Sequence, residues 1–140
     1  MYALASRYMA ESYSKDRNFD RAISILESAL TYTPKEPFLL GALAQICGRV
    51  GRQEEALRLT RDLVRREASG EIQDAFPTIW AYIGLQDYDE AFARLEKAAA
   101  ARRGRMIWIR TDSRLEPVYG DPRLQEIIRR MNFPSKSAQR

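Results

Sequence analysis

Three alanines, each opening the same pattern of small and apolar residues, recur at near-constant spacing along the 140-residue chain. Asp20-Arg21-Ala22, Glu54-Glu55-Ala56 and Asp89-Glu90-Ala91 are separated by 34 and then 35 residues. Four residues after each alanine stand Leu26, Thr60 and Leu95, and seven after stand Ala29, Leu63 and Ala98. Nine residues before stand Tyr13, Cys47 and Tyr82, and three before stand Phe19, Gln53 and Tyr88. A period of this length means one supersecondary unit repeated. Offsets of four and seven put the repeated positions on one stripe of a helix, where small residues let a neighbouring backbone approach.

Each unit therefore reads as a pair of antiparallel helices that cannot bury its apolar faces alone. About three stacked units are needed for a stable core. Turn signals fall at Arg17-Asn18, Gly51-Arg52 and Gly84 within the units, and at Pro34-Lys35-Glu36-Pro37 and Ser69-Gly70 between them. The pattern predicts helices over 3–15, 19–32, 37–49, 53–67, 75–85 and 88–102.

On these residues the chain resembles the tetratricopeptide repeat. Tyr13, Ala22, Leu26, Ala29 and Pro34 match its signature in the first unit. Leu43, Ala44, Gly51 and Ala56 do so in the second, and Tyr82, Tyr88, Ala91, Leu95 and Ala98 in the third. Thr60 and Cys47 depart from it, as do Ala68 and Arg103, where repeat-ending prolines belong. The segment from Met106-Ile107-Trp108-Ile109 through Asp112-Ser113-Arg114-Leu115 and Gly120-Asp121-Pro122-Arg123-Leu124 to Phe133 is similar to the tail that closes many bacterial arrays of this kind. Those arrays sit behind winged-helix regulators, adenylate cyclases and kinases.

The resemblance implies an all-α fold, an α-α superhelix of three helix-turn-helix repeats with C-terminal capping helices. The repeats span 1–104, at about 3–36, 37–70 and 71–104, and a helical cap follows over 105–133. In the cap, Asp121 reads as an N-cap with Pro122 in the first turn, and Leu124, Ile127, Ile128 and Met131 as an apolar stripe. Trp108, Leu115 and Val118 are expected to cover the third repeat, and residues 134–140 to be disordered.

Composition narrows the chemistry. With no histidine there is no Ser-His-Asp or Cys-His pair and no His-bound zinc. The single cysteine, Cys47, occupies a packing position with no base to activate it, so it reads as buried and inert. Asp87, Asp89 and Glu90 stand in a hairpin turn, where Asp commonly caps the next helix, and they are assigned no chemistry. We expect no enzyme activity, no metal and no other cofactor.

The absence of a long apolar run excludes a membrane-spanning helix, and the N-terminal residues lack the pattern of a secretory signal. The expected location is the cytoplasm. Residues 1–101 hold 13 Lys/Arg against 15 Asp/Glu, a net of −2, whereas residues 102–140 hold 10 against 4, a net of +6. The basic run Arg102-Arg103-Arg105 with Trp108 and Arg110 is compatible with nucleic acid, but arginines that complement a helix end are the simpler reading. Arg58, Arg61, Arg65 and Arg66, interleaved with Glu54, Glu55, Asp62 and Glu67, read as a solvated face.

By the family's geometry the first helix of each repeat lines a concave groove. Carried over by position, the groove residues are Arg7 and Glu11; Phe38, Gly41 and Gln45; and Gln73, Phe76 and Trp80. Trp80 is either a peptide-contacting anchor or a ring packed against the second repeat or beneath the cap. For Phe76, beside Pro77, packing is favoured. The carboxylate-gripping clamp of chaperone-binding relatives is not reproduced, since Glu11 stands where an amide belongs and aromatics stand where cations belong. The implied function is protein–protein interaction, with a partner peptide or helix in the groove. The alternative is a regulatory or sensory tail of a larger signalling or transcription-regulating protein, with weak nucleic-acid contact through the basic cap, suggested by the lack of a capping helix before residue 3.

Overall fold

A computed structural model describes residues 2–101, 106 and 109–131. The helices are α1 (Tyr2–Lys15), α2 (Phe19–Tyr32), α3 (Pro37–Arg49), α4 (Gln53–Ala68), α5 (Phe76–Gly84), α6 (Tyr88–Ala100) and α7 (Pro122–Arg130), with a 3-10 helix over Ser113–Val118. No strand occurs among the described residues. Three hairpins, α1/α2, α3/α4 and α5/α6, stack so that α3 packs against α1 and α5 as well as α2 and α4. The molecule is an α-solenoid, and all six repeat helices fall within two residues of the boundaries predicted from the period.

Local chemistry sets the ends. Asn18, Glu36 and Asp87 accept hydrogen bonds from the amides of Arg21, Leu39 and Glu90 at 3.4, 2.7 and 3.3 Å, capping α2, α3 and α6. Asp121 caps α7 through the Arg123 amide at 2.9 Å, with Pro122 in the first turn. Inside each hairpin one residue turns left-handed: Arg17 (φ 60°), Gly51 (φ 91°) and Gln86 (φ 63°). These positions keep the period of the alanines.

The repeated positions are the core. Ala22, Leu26, Ala29, Ala56, Leu63, Ala91 and Leu95 are wholly buried. Thr60, which departs from the apolar consensus, is buried as well, and its hydroxyl donates to the Ala56 carbonyl at 2.7 Å, so no polar atom is stranded. Helix α3 is enclosed along nine consecutive residues, Leu39–Cys47.

Helices α3 and α5 meet backbone to backbone. A Cβ on Gly41 would lie 2.6 Å from the Pro77 carbonyl oxygen, and one on Gly48 would lie 2.3 Å from that of Gly84. Gly84 is therefore a packing residue facing Gln45 and Gly48 at the end of α5, and the turn that follows takes its left-handed residue from Gln86.

Helix α7 packs on α6 with Leu124 and Ile127 buried, and Leu115 and Val118 are also buried. Arg102, Arg103, Arg105, Trp108 and residues 132–140 lie outside the described residues, so the basic run and the expected disordered tail are not described. On α4 the solvated face holds for Arg58, Arg61 and Arg65, whereas Arg66 is buried. It pairs with Glu71 at 2.6 Å and Asp62 at 3.4 Å and donates to the Lys35 carbonyl at 2.7 Å, tying α4 to the loop between the first two hairpins.

Candidate functional site

Helices α1, α3 and α5 form the face where a groove is expected. A segment of the same chain, Asp112–Tyr119, lies across it. The Trp80 indole N–H donates to Asp112 Oδ2 at 3.0 Å, Gln45 Nε2 donates to the Arg114 carbonyl at 2.7 Å, and the Ser113 hydroxyl donates to Glu11 Oε1 at 2.6 Å. One short segment thus touches α5, α3 and α1. It is braced internally: Asp112 Oδ1 accepts the Arg114 amide at 3.0 Å, and the Tyr119 hydroxyl donates to the Asp112 carbonyl.

Cations and rings are layered on the same face. The Arg7 guanidinium lies 4.9 Å from the Phe38 ring centre, 5.4 Å from that of Tyr8 and 5.7 Å from that of Trp80. Arg114 lies 5.3 Å from the Trp80 centre, and Phe38 meets Trp80 edge-on at 5.6 Å. All these separations are within the range at which a ring quadrupole attracts a cation or another ring edge.

The expected groove residues have different surroundings. Glu11, Gln45 and Trp80 bond to Asp112–Arg114, and Arg7 and Phe38 pack beside Trp80 on the same face. Gly41 faces the α5 backbone, because α3 and α5 approach too closely for any side chain there. Phe76 is 1% exposed in the core. Gln73 precedes α5 and lines a surface cavity with Glu67, Arg94 and Lys97, on the side of the second helices. The sequence missed Asp112, Ser113 and Arg114 as occupants of this face. The available signal was the buried indole N–H of Trp80, which needs an acceptor.

Burial sets the ionisation here. It pushes the Asp112 carboxyl above its ordinary range, against the Arg114 amide and the Trp80 indole, which stabilise the anion. It also lowers Arg114 to about 10, which leaves the guanidinium charged at neutral pH. Beyond this face, Cys47 is pushed up to about 12, first by burial and then by the nearby Glu55 carboxylate. Its thiol is expected to stay inert to a disulfide reagent at pH 8 and to react on unfolding.

A thiol held neutral in the fold contributes stability below pH 9, and this is lost as pH rises from 9 towards 12, at up to about 1.4 kcal/mol per pH unit. Tyr82 and Tyr119 shift the same way by burial. Urea unfolding between pH 8 and 10.5 should show a shallower decline for Cys47→Ala than for the unaltered chain. Equal slopes would mean that the native thiol ionises freely.

The basic residues of α7 are paired. Arg123 contacts Asp89 at 2.8 Å and Asp121 at 3.0 Å, Arg129 contacts Glu126 at 2.6 Å, and Arg130 contacts Glu96 at 2.5 Å. Among the described residues no cluster of three or more potential ligands is arranged for a metal ion, and no helix is long and apolar enough to cross a membrane.

In comparison with known proteins, the tetratricopeptide repeat family matches residues 9–38, from the middle of α1 through α2 into the start of α3. No curated protein and no solved structure matches the chain.

Proposed function

We propose that the chain, whose residues 9–38 match the tetratricopeptide repeat family and whose helical hairpins stack, is an interaction module receiving a partner peptide or helix on the face of its first helices. Tetratricopeptide repeats mediate protein–protein interaction, and the family is typically non-catalytic. The observation that carries the proposal is that this face already holds a stretch of polypeptide, gripped by side chains from all three hairpins. The partner's place is the open strip beside that stretch, where Leu4 and Tyr8 are exposed one helical turn apart and Tyr8, 57% exposed, lies against Arg7.

In this reading residues 1–104 are three repeats, the remainder to 133 is a cap, and the protein works in the cytoplasm without a cofactor. The ion pairs of α7 support a cap that holds the array closed more than one that meets nucleic-acid phosphates.

Capture from lysate on the immobilised chain tests the proposal. The double substitution Leu4→Ser, Tyr8→Ser should reduce the retained partner about tenfold or more while the melting temperature stays within about 2 °C, because both side chains are exposed. Arg58→Ala, on the exposed side of α4, should retain it fully. Equal capture by all three proteins would overturn the placement.

A further inference from the structure

The Arg114 guanidinium is charged, 4% exposed and under-used. Its Nη1 donates to Gln45 Oε1 at 3.3 Å, but Nε and Nη2 have no hydrogen-bond partner among the described residues. Those two nitrogens form one edge of the guanidinium fork, the edge that binds an oxyanion through two parallel bonds. Buried donors left unmade are the costly case in a folded protein, and charged ones most of all.

Arg114 is among the residues around a cavity of about 90 Å³. That is roughly three waters' share of liquid volume, and so room for one small group. Ser14 lines it too, and its buried hydroxyl is likewise without a partner. Around the cavity stand Lys15, Arg17 and Arg49 against Glu11 and Glu116. Glu11 accepts from Ser113, lies 3.8 Å from Lys15 and is the carboxylate that most favours the Arg114 charge, without bonding to its Nε or Nη2. Asp112, the other carboxylate near Arg114, accepts from Trp80 and from the Arg114 amide.

We infer that this cavity, between α1, α3 and the Asp112–Tyr119 segment, binds one small oxyanion group, a phosphate or a carboxylate, on the Nε/Nη2 edge of Arg114 and the hydroxyl of Ser14. Lys15, Arg17 and Arg49 supply the positive surround. The site does not depend on where a partner protein docks.

The test is a thermal and calorimetric titration of the full chain with sodium phosphate and, separately, sodium acetate, each against sodium chloride at matched ionic strength and pH. At least one anion should raise the melting temperature saturably, by about 3–6 °C at high occupancy. The stronger one tells whether the group is phosphate-like or a carboxylate such as an acidic side chain carries. Arg114→Gln should abolish the effect. Because that variant can fail to fold, Arg49→Gln and Ser14→Ala are the second arm. Ser14→Ala, which removes one hydrogen bond, should weaken binding about threefold to tenfold, and Arg49→Gln should weaken it in the same direction. The inference is overturned if neither anion exceeds chloride, or if Arg49→Gln and Ser14→Ala both bind as the unaltered chain does.

Discussion

Gly84→Ala should destabilise the chain by about 3 kcal/mol, read as a drop in the urea midpoint at unchanged m-value. The added methyl would sit 2.5 Å from both the Cα and the carbonyl oxygen of Gln45, so no flexible side chain is available to move aside. Two helices must separate instead, and α3 is covered by neighbours on the other sides as well. Alanine's better helix propensity returns about 1 kcal/mol at most, too little to reverse the sign. Gly48→Ala meets the same contact from the other helix, at 2.3 Å from the Gly84 carbonyl oxygen, and should cost a similar amount. Gly120→Ala, with nothing within 4 Å, should change stability by less than about 0.5 kcal/mol. Equal stabilities for the three variants would show that α3 and α5 are farther apart than described.

Trp80→Ala should cost about 3–5 kcal/mol, the range for deleting a large buried aromatic. The ring is 2% exposed and has three tasks: it fills the space beside Phe38, it lies against the Arg7 and Arg114 guanidiniums, and it donates to Asp112. Truncation opens a cavity and also strips a donor from a partly buried carboxylate. Trp80→Phe separates the two effects. It keeps most of the apolar volume and a ring for the cations but loses the N–H, so it should cost about 1–3 kcal/mol. If both variants unfold within about 0.5 kcal/mol of the parent, the Asp112–Tyr119 segment is not held by this ring. A Trp80 substitution therefore confounds binding with folding, and the exposed pair Leu4 and Tyr8 is the better probe of a partner.

The helices could be read from the chain because their signals are local. The turn signals around Asn18, Glu36 and Asp87, which the structure shows to be caps, and the stripe of alanines involve residues three to seven positions apart in sequence. The turns were harder. The left-handed residue is glycine at position 51 but arginine at 17 and glutamine at 86, so the backbone conformation keeps step with the alanines where the residue type does not. Gly84 misled for the complementary reason, since its lack of a side chain serves a helix contact and not a turn.

The site was half visible. Arg7, Glu11, Gln45 and Trp80 do share a face, as repeat phase requires. What fills that face is Asp112–Arg114, joined to Glu11 across 102 residues of sequence. Nothing in helical periodicity encodes a meeting of that kind.

That long-range link changes how the array should behave as a whole. A linear stack of repeats communicates only between neighbours, so it can lose an end unit while the rest stays folded. Here the Asp112–Tyr119 segment bonds to α1 and α5, helices of the two outermost hairpins, and thereby joins the first unit to the last. The stack becomes a closed circuit, in which releasing either end breaks bonds at the other. Cooperativity spread in this way favours one sharp transition over stepwise fraying, and the distant contact it relies on must close late, which slows folding relative to an open array of equal size.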